Sequence, residues 1–166
     1  MKKDKFLTVY AVLDEDTQKY LKAIQEDLLQ LGDAGTQTMG IPFHISLGSF
    51  PVEEDDLLDK RIAEISLVQK PFPVQLRAVN HFYNRVLFLE PERTHELEKL
   101  QLAFDGNYAD GFPWHPHVTL FRGDVQSVEK AKEFIAGKFR PFLCQIVGLE
   151  MGEFFPTRWI TRKYFP

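Results

Sequence analysis

The chain alternates between two patterns of apolar residues. Short stretches rich in β-branched and aromatic residues predict strands, and longer stretches with an apolar residue every three or four positions predict amphipathic helices. Strands are predicted at residues 6–13, 43–50, 71–79, 85–90, 117–121, 141–151 and 158–165. Helices are predicted at residues 14–33, 53–67, 91–106 and 124–137.

Residues that favour helix ends support the first and last helices. Asp14 or Asp16 can cap the first helix. Asp124 or Ser127 can cap the last one, and Gly137 can close it.

The order of the elements repeats along the chain. Residues 6–82 and 85–165 each run strand, helix, strand with an H-x-[S/T] motif, helix, strand. His44 in "FHISLGSF" and His117 in "HPHVTLFRG" therefore occupy the same place in the two halves. A half-length unit used twice predicts two similar lobes, an approximate two-fold relation and a central groove. We expect an α+β fold with two mostly antiparallel sheets and outer helices, as one domain over residues 1–166.

Composition narrows the classes of function. The 166 residues are 44% hydrophobic and 27% charged, as in ordinary globular proteins. A net charge of -4 argues against a broad basic face for long double-stranded nucleic acid. The single cysteine, Cys144, excludes an internal disulfide and is expected to be a small buried residue. No secretion signal or membrane span is predicted, so we expect a cytoplasmic protein without a membrane partner.

The two motifs place an imidazole and a hydroxyl on one face of each strand. Because side chains alternate along a strand, His44 and Ser46 point the same way, roughly 6.6 Å apart. His117 and Thr119 repeat this arrangement on the second motif strand. A single H-x-S motif is usually a structural or solvated histidine beside a hydroxyl. Two copies at equivalent places in a repeat favour a functional site.

Two facing imidazoles suit chemistry at a phosphate ester. In-line displacement at phosphorus needs a proton removed from the nucleophile and another delivered to the leaving oxygen. Histidine can take either role near neutral pH. The hydroxyls of Ser46 and Thr119 can donate hydrogen bonds to the non-bridging phosphate oxygens. This arrangement needs no metal.

Neighbouring residues are weaker candidates for contacts with the substrate. Phe43, Trp114 and Phe121 could stack on a base, although aromatic residues beside a sheet are more often core. Arg122 ends the second motif strand. Strict alternation places it opposite His117, so it reaches the groove only where the strand twists or ends.

The other histidines raise the question of a metal site. His115 and His117 form an "HPH" pair, but no DxD, HExxH or nearby acidic ligand pattern completes a site. His115 is expected at the rim of the groove. His81 and His95 are expected to be structural or solvated.

"HISLGSF" and "HVTLFRG" resemble the two signatures of the 2H phosphoesterase superfamily. The bacterial 2'-5' RNA ligase and cyclic phosphodiesterase branch is the most similar. His117, Thr119 and Arg122 follow its H-x-T-L-x-R pattern, whereas Ser46 stands where that branch usually has threonine. The resemblance extends over nearly the whole chain in element order, but only the two motifs are specific.

The resemblance implies a bilobal α+β fold in which the chain crosses between lobes. It also implies hydrolysis of 2',3'-cyclic phosphates or related cyclic phosphodiesters without a metal or cofactor, and sometimes reversible 2'-5' ligation of RNA. The family catalysts map onto His44 and His117, the phosphate-binding hydroxyls onto Ser46 and Thr119, and the family arginine onto Arg122.

Two other functions stay open. One is a module that binds nucleotides or RNA ends without turnover, and the other is a metal-dependent hydrolase that uses His115 and His117. The expected partner is a nucleotide or RNA end that carries a cyclic phosphate. The sequence does not determine the oligomeric state.

Overall fold

A computed structural model describes residues 4–30, 41–104, 113–154 and 156–166. The strands are β1 (Phe6–Leu13), β2 (His44–Phe50), β3 (Phe72–Phe82), β4 (Val86–Pro91), β5 (Val118–Arg122), β6 (Phe142–Phe154) and β7 (Arg158–Tyr164). The helices are α1 (Glu15–Leu29), α2 (Asp55–Val68), α3 (His95–Leu102) and α4 (Val125–Ala136). A short 3₁₀ turn, Val52–Glu54, precedes α2.

Each predicted element is present, with shifted ends. Asp14 caps α1 by accepting a hydrogen bond from the backbone N–H of Thr17, and Asp124 caps α4 in the same way. The third helix starts later than residue 91, because Pro91 belongs to β4 and Thr94 is the cap. The predicted ends of the first and third helices, residues 33 and 106, lie outside the described residues.

Strand β3 is longer than predicted because it continues into a tight hairpin with β4. Tyr83 and Asn84 both adopt a φ of 51°, the left-handed region that such turns require. Neither residue is glycine, so the sequence lacked the usual hairpin signal. His81 accepts a hydrogen bond from the backbone N–H of Asn84, and it is therefore structural as expected.

The strand order has the symmetry that the sequence repeat predicts. The strands run β2-β1-β6-β3-β4-β5, and exchanging β1, β2 and β3 with β4, β5 and β6 gives the same order read from the other end. All of the pairings are antiparallel. β6 pairs with β1 and β3 pairs with β4, so each side of the sheet combines strands from both halves of the chain.

The expectation of two separate sheets is corrected, because the strands form one seven-stranded sheet. The cause is the length of β6. Its start pairs with β3 and the rest pairs with β1 and β7, and Ile146 pairs with both Leu13 and Phe72. The α+β class and the antiparallel pairing are confirmed.

The hydrophobic core lies on one face of the sheet, under the helices. Every second residue of β1 belongs to this core. Tyr10 and Val12 do not, because they are buried on the other face of the sheet. On β4, Leu87 and Leu89 belong to the core and Phe88 does not. The helices contribute Leu21, Leu28, Leu58, Ile62, Leu97, Leu100, Val128, Ala131 and Ile135. The face that carries Tyr10 and Phe88 is therefore free to form a site.

Cys144 is buried, as expected, and its thiol donates a hydrogen bond to the backbone carbonyl of Val74. Burial raises the pKa of the Cys144 thiol to about 12, so the thiol stays protonated. None of the helices described here is long and apolar enough to cross a membrane.

Candidate active site

The two motif strands stand at opposite ends of the strand order but approach each other in space. Trp114, just before β5, donates a hydrogen bond from its indole N–H to the backbone carbonyl of Ser46 on β2, at 2.9 Å. Gln25 on α1 donates to the carbonyl of Leu120 on β5, at 2.8 Å. No strand pairing joins β2 to β5 in the described part of the chain. The sheet is therefore curved, with its two ends close together but not closed.

Strand β2 has an irregular register beside its motif. Ser46 on β2 pairs with Tyr10 on β1, and the preceding residue of β1, Val9, pairs with Gly48. Leu47 is therefore an extra residue, which defines a β-bulge. The bulge also brings Gly48 against α3, where an added Cβ would stand 2.3 Å from the backbone oxygen of Phe104.

Strand β5 has the same bulge at the equivalent place. Thr119 pairs with Phe88, whereas Leu87 meets Phe121, so Leu120 is the extra residue. Both motif strands thus bend one residue after the motif hydroxyl. Bulges re-aim side chains, and they are common next to active sites.

The bulge explains the position of Arg122. Leu120 and Phe121 are both buried in the core, and the alternation of faces is shifted by one residue beyond them. Strict alternation would have placed Arg122 opposite His117, and here the bulge returns it to the same side. Arg122 pairs with Val86, two residues before Phe88, and so shares the face of Phe88 and Thr119. Its charge lowers the pKa of both His44 and His117. Partial desolvation of the guanidinium lowers the pKa of Arg122, although the residue as a whole is exposed.

The two imidazoles are held in the same way. The Nδ1 of His44 lies 2.8 Å from the carbonyl oxygen of Pro42, and the Nδ1 of His117 lies 2.8 Å from that of His115. A carbonyl can only accept, so Nδ1 carries the hydrogen in each neutral ring. This leaves Nε2 as the free nitrogen on both histidines. Each ring therefore presents an unprotonated Nε2 that can take a proton.

Burial is the main cause of unusual titration at both histidines. It lowers the pKa of His44 to about 4, and the charges of protonated His117 and of Arg122 act in the same direction. Burial also lowers the pKa of His117, helped by the charges of His115 and Arg122. Both imidazoles are therefore neutral at pH 7 in the free protein.

Each motif histidine packs against an aromatic ring of the neighbouring strand. The ring centroids of Tyr10 and His44 are 4.4 Å apart, and those of Phe88 and His117 are 5.3 Å apart. Phe82 adds an edge-to-face contact with His117 at 5.0 Å. Tyr10 and Phe88 occupy equivalent positions, opposite Ser46 and Thr119. Both halves thus build the same support, but only one ring carries a hydroxyl.

The motif hydroxyls are available to a ligand. Ser46 and Thr119 are half-buried on the same side of their strands as the histidines. Among the residues that the structure describes, neither hydroxyl makes a hydrogen bond to another protein group. Two free donors beside two free Nε2 atoms form a site suited to an oxyanion such as phosphate.

A comparison with models of known protein families identifies the family of this chain. A model of the 2'-5' RNA ligase superfamily matches residues 13–152, which include both motifs. The chain belongs to the 2'-5' RNA ligase superfamily. No curated protein sequence matches it.

Solved structures share the fold of this superfamily member. TT0787 of Thermus thermophilus superposes with a TM-score of 0.67 at 16% identity, over 96% of this chain and 97% of that one. E. coli LigT in complex with NADP+ gives 0.64 at 18% identity, over 98% of this chain and 99% of that one. The complex of LigT with 3'-AMP gives 0.64 at 17% identity, with coverage of 98% and 99%. At these identities the likeness concerns the fold alone.

Two of the weaker candidates have structural roles in this superfamily fold. Phe43 packs against the core, and the side-chain amide of Gln18 bonds both its N–H and its carbonyl, which fixes the start of β2. Trp114 also packs against the core and ties the approach of β5 to Ser46. Neither side chain needs a ligand to explain its position.

His115 lies at the exposed edge of the site. Its Nε2 is 2.9 Å from a carboxylate oxygen of Glu90. Along the described ranges, no group of three or more His, Cys, Asp or Glu side chains is placed to hold a metal ion. His95 is the exposed first residue of α3, as expected for a solvated histidine.

Sequence reasoning missed a buried polar row on the same face as His44. Ser46, Tyr10, Glu150 and Arg162 pair with one another in turn across β2, β1, β6 and β7. The hydroxyl of Tyr10 donates to Glu150 at 2.6 Å, and Arg162 donates to the other carboxylate oxygen. Glu150 is fully buried. A glutamate inside the apolar run "QIVGLEMGEF" was the available signal, because a buried carboxylate requires partners.

Proposed function

We propose that the chain is a metal-independent phosphoesterase that hydrolyses 2',3'-cyclic phosphates, or related cyclic phosphodiesters, at the ends of nucleotides or RNA. Formation of a 2'-5' linkage is the same displacement on the cyclic phosphate, with the 5'-hydroxyl of a second RNA end in place of water, and its reversal cleaves that linkage. One observation carries the proposal: each motif strand presents on one face an imidazole held through Nδ1, with Nε2 left to exchange a proton, and a hydroxyl that makes no hydrogen bond among the described residues.

The two imidazoles divide the proton transfers. In hydrolysis, a water oxygen attacks phosphorus and gives its proton to the Nε2 of a neutral histidine. The bond from phosphorus to one ribose oxygen breaks, and that oxygen takes a proton from the Nε2 of the other, protonated histidine. We assign His44 as the base, because burial holds its pKa at about 4 and keeps it neutral. His117 is then the acid, and the two roles exchange only when a 2'-5' linkage is cleaved back to the cyclic phosphate.

The bound phosphate makes the second histidine an acid. In the free protein burial lowers the pKa of both rings. An anionic phosphate between them stabilises an imidazolium and so raises both values. Ser46 and Thr119 would hold the non-bridging oxygens, and Arg122 would offset the charge that grows on them.

The superfamily relatives support a nucleotide as the ligand. Structures of E. coli LigT contain 3'-AMP, ATP and NADP+. We extend this to the present chain because its fold and both of its motifs follow the same superfamily. The two alternative functions make different predictions and can be separated in one assay.

The test is a turnover assay with mononucleoside 2',3'-cyclic phosphates and short RNA that ends in a cyclic phosphate, with and without EDTA. We expect equal turnover in both conditions and a phosphomonoester product. Loss of activity in EDTA that a divalent ion restores would favour the His115–His117 metal hydrolase. Tight binding without any turnover would favour the binding module. The absence of both binding and turnover would overturn the proposal.

A further inference from the structure

Strand β7 presents an aromatic and cationic surface at the edge of the sheet. Trp159 is 51% exposed and Tyr164 is 61% exposed, an unusual degree of exposure for two large aromatic rings on one strand. Between them, the guanidinium of Arg162 lies over the ring of Trp159, 3.7 Å from its centroid. We call Trp159, Arg162 and Tyr164 the β7 platform.

The β7 platform lies on the same face of the sheet as the candidate active site. Residues paired across neighbouring strands share a face. Arg162 pairs with Glu150, which pairs with Tyr10, the ring beneath His44. By the same rule Trp159 shares a face with Gly152, its partner on β6. The row therefore leads from the catalytic groove to the platform.

Arg162 is held rigidly in place. Its Nε donates to Glu150, which is fully buried and also accepts from Tyr10. A buried carboxylate is costly unless it is paired, so this row keeps the guanidinium in one position. The guanidinium in turn keeps the indole of Trp159 in one orientation. A fixed ring loses less conformational entropy when a ligand stacks on it.

Arg162 is the cation that strand β7 places on the platform face of the sheet. Strand β7 carries three cations, Arg158, Arg162 and Lys163, and no acidic residue. Glu153 pairs with Arg158 and Glu150 with Arg162. Lys163 makes no ion pair within the described residues, but it pairs with the core residue Leu149 and therefore lies on the opposite face of the sheet from the platform. Aromatic rings beside cations are the usual elements of single-strand nucleic-acid binding.

Distance decides which base can reach the β7 platform. Ser46 and Arg162 are three strands apart, about 14 Å at ~4.8 Å per strand. The base attached to the reacting phosphate would lie nearer to that phosphate, so the platform suits the base of a preceding nucleotide.

We propose that the β7 platform stacks a base upstream of the reacting phosphate, so that the preferred substrate is a single-stranded RNA end rather than a mononucleotide. This inference rests on the proposed phosphoesterase function. Trp159 supplies the stacking face, and Arg162 positions it and adds positive charge.

The test compares two substrates that share the same terminal nucleotide, a mononucleoside 2',3'-cyclic phosphate and a trinucleotide that ends in that cyclic phosphate. In the wild-type protein we expect kcat/KM to be about 10-fold higher for the trinucleotide, since one stacked base contributes roughly this factor. Trp159→Ala should remove that advantage and leave the mononucleotide unchanged. Trp159→Phe should keep most of it. Tyr20→Ala removes an exposed aromatic ring from α1 and should change neither value.

The kcat/KM value for the mononucleotide distinguishes a failure of this inference from a failure of the proposed function and from a folding defect in the variant. Equal losses for both substrates in Trp159→Ala would indicate a structural role and overturn the inference. An unchanged preference for the trinucleotide would overturn it as well. If the wild-type protein turned over neither substrate, the proposed function would fail. The affinity for a trinucleotide 3'-phosphate, measured by calorimetry, would then decide the inference, and equal Kd values for wild type and Trp159→Ala would reject it.

Discussion

The ring of Tyr10 lies 4.4 Å from the imidazole of His44, and its hydroxyl is anchored by the buried carboxylate of Glu150. The equivalent support for His117 is Phe88, which has no hydroxyl. The two halves thus carry the same motif, but the ring that packs against the motif histidine differs between them. Tyr10 is a positioning residue for His44 in the proposed mechanism, whereas His117 rests on apolar rings alone.

We predict that Tyr10→Phe destabilises the protein more than it impairs turnover. The ring beneath His44 remains, so kcat should fall less than 10-fold. Glu150 loses one of its two hydrogen bonds in the interior, which costs about 1–3 kcal/mol of the free energy of unfolding. Urea denaturation and steady-state kinetics on the same preparation measure both effects. A 100-fold loss of kcat with unchanged stability would instead make the hydroxyl itself part of the chemistry.

Glu150→Gln is a sharper test of the same row. The amide leaves Arg162 without its buried counter-charge, and breaking a buried pair typically costs about 3–5 kcal/mol. Glu64→Gln breaks an exposed ion pair with Lys60 on α2 and should cost less than about 1 kcal/mol. Similar losses of unfolding free energy for the two variants would contradict a structural role for the buried row.

The close packing of Gly48, beside the bulge in β2, leads to a separate prediction about the free energy of unfolding. A Cβ at Gly48 would stand 2.3 Å from the backbone oxygen of Phe104, and backbone cannot move aside as a flexible side chain can. Gly48→Ala should therefore cost about 1–3 kcal/mol, as overpacking does, and disturb the strand that carries His44. Gly137→Ala is the matched control, because an added Cβ there meets nothing within 4 Å. Thermal denaturation of the two variants gives the comparison.

The sequence predicted most of the fold because its apolar patterns match the periods of strands and helices. The repeat also predicted that His44 and His117 occupy equivalent places. The joining of the strands into one sheet was missed, because it depends on β6 pairing along its length with β1, β3 and β7. Pairing partners are set by long-range contacts that no local pattern contains.

The site was predicted in its motifs but not in its supports. Strict alternation left the side of Arg122 dependent on a twist or an end of the strand, since a bulge such as that at Leu120 does not show in an apolar pattern. In the sequence Tyr10 is an ordinary strand residue. Its role depends on the hydrogen bond to Glu150, which is distant in sequence. Buried polar rows of this kind become visible only when the strands are paired.

The paired-histidine mechanism predicts large and non-additive losses. His44→Ala and His117→Ala should each lower kcat by about 10²-fold or more, because each removes one proton transfer. Ser46→Ala or Thr119→Ala should cost about 10-fold to 10²-fold, as the loss of one hydrogen bond to the phosphate. The double histidine variant should be little worse than either single one. Near wild-type turnover in either histidine variant would show that the mechanism is wrong.

The pH dependence offers the most specific test, because burial and Arg122 act on both histidines. The reactive form has one neutral and one protonated imidazole, so the rate should depend on pH as a bell-shaped curve. The two apparent pKa values of that curve belong to the coupled pair of histidines. In the free protein the pKa of both rings is lowered, that of His44 to about 4. The maximum of kcat/KM should therefore lie below about pH 6.5, the ordinary pKa of histidine. A bound anionic phosphate raises both values, so the maximum of kcat should lie at higher pH.

Arg122→Gln supplies the check on this assignment. The cation at Arg122 lowers the pKa of both histidines by disfavouring their protonated forms, so its removal should raise both and move the kcat/KM bell to higher pH. Arg140→Gln removes an equal charge from an exposed position, where the guanidinium donates a hydrogen bond to the neighbouring carbonyl of Phe139, and it should leave the pH profile in place. A bell that stays fixed in Arg122→Gln, or shifts equally in both variants, would show that Arg122 does not act on the imidazoles through its charge.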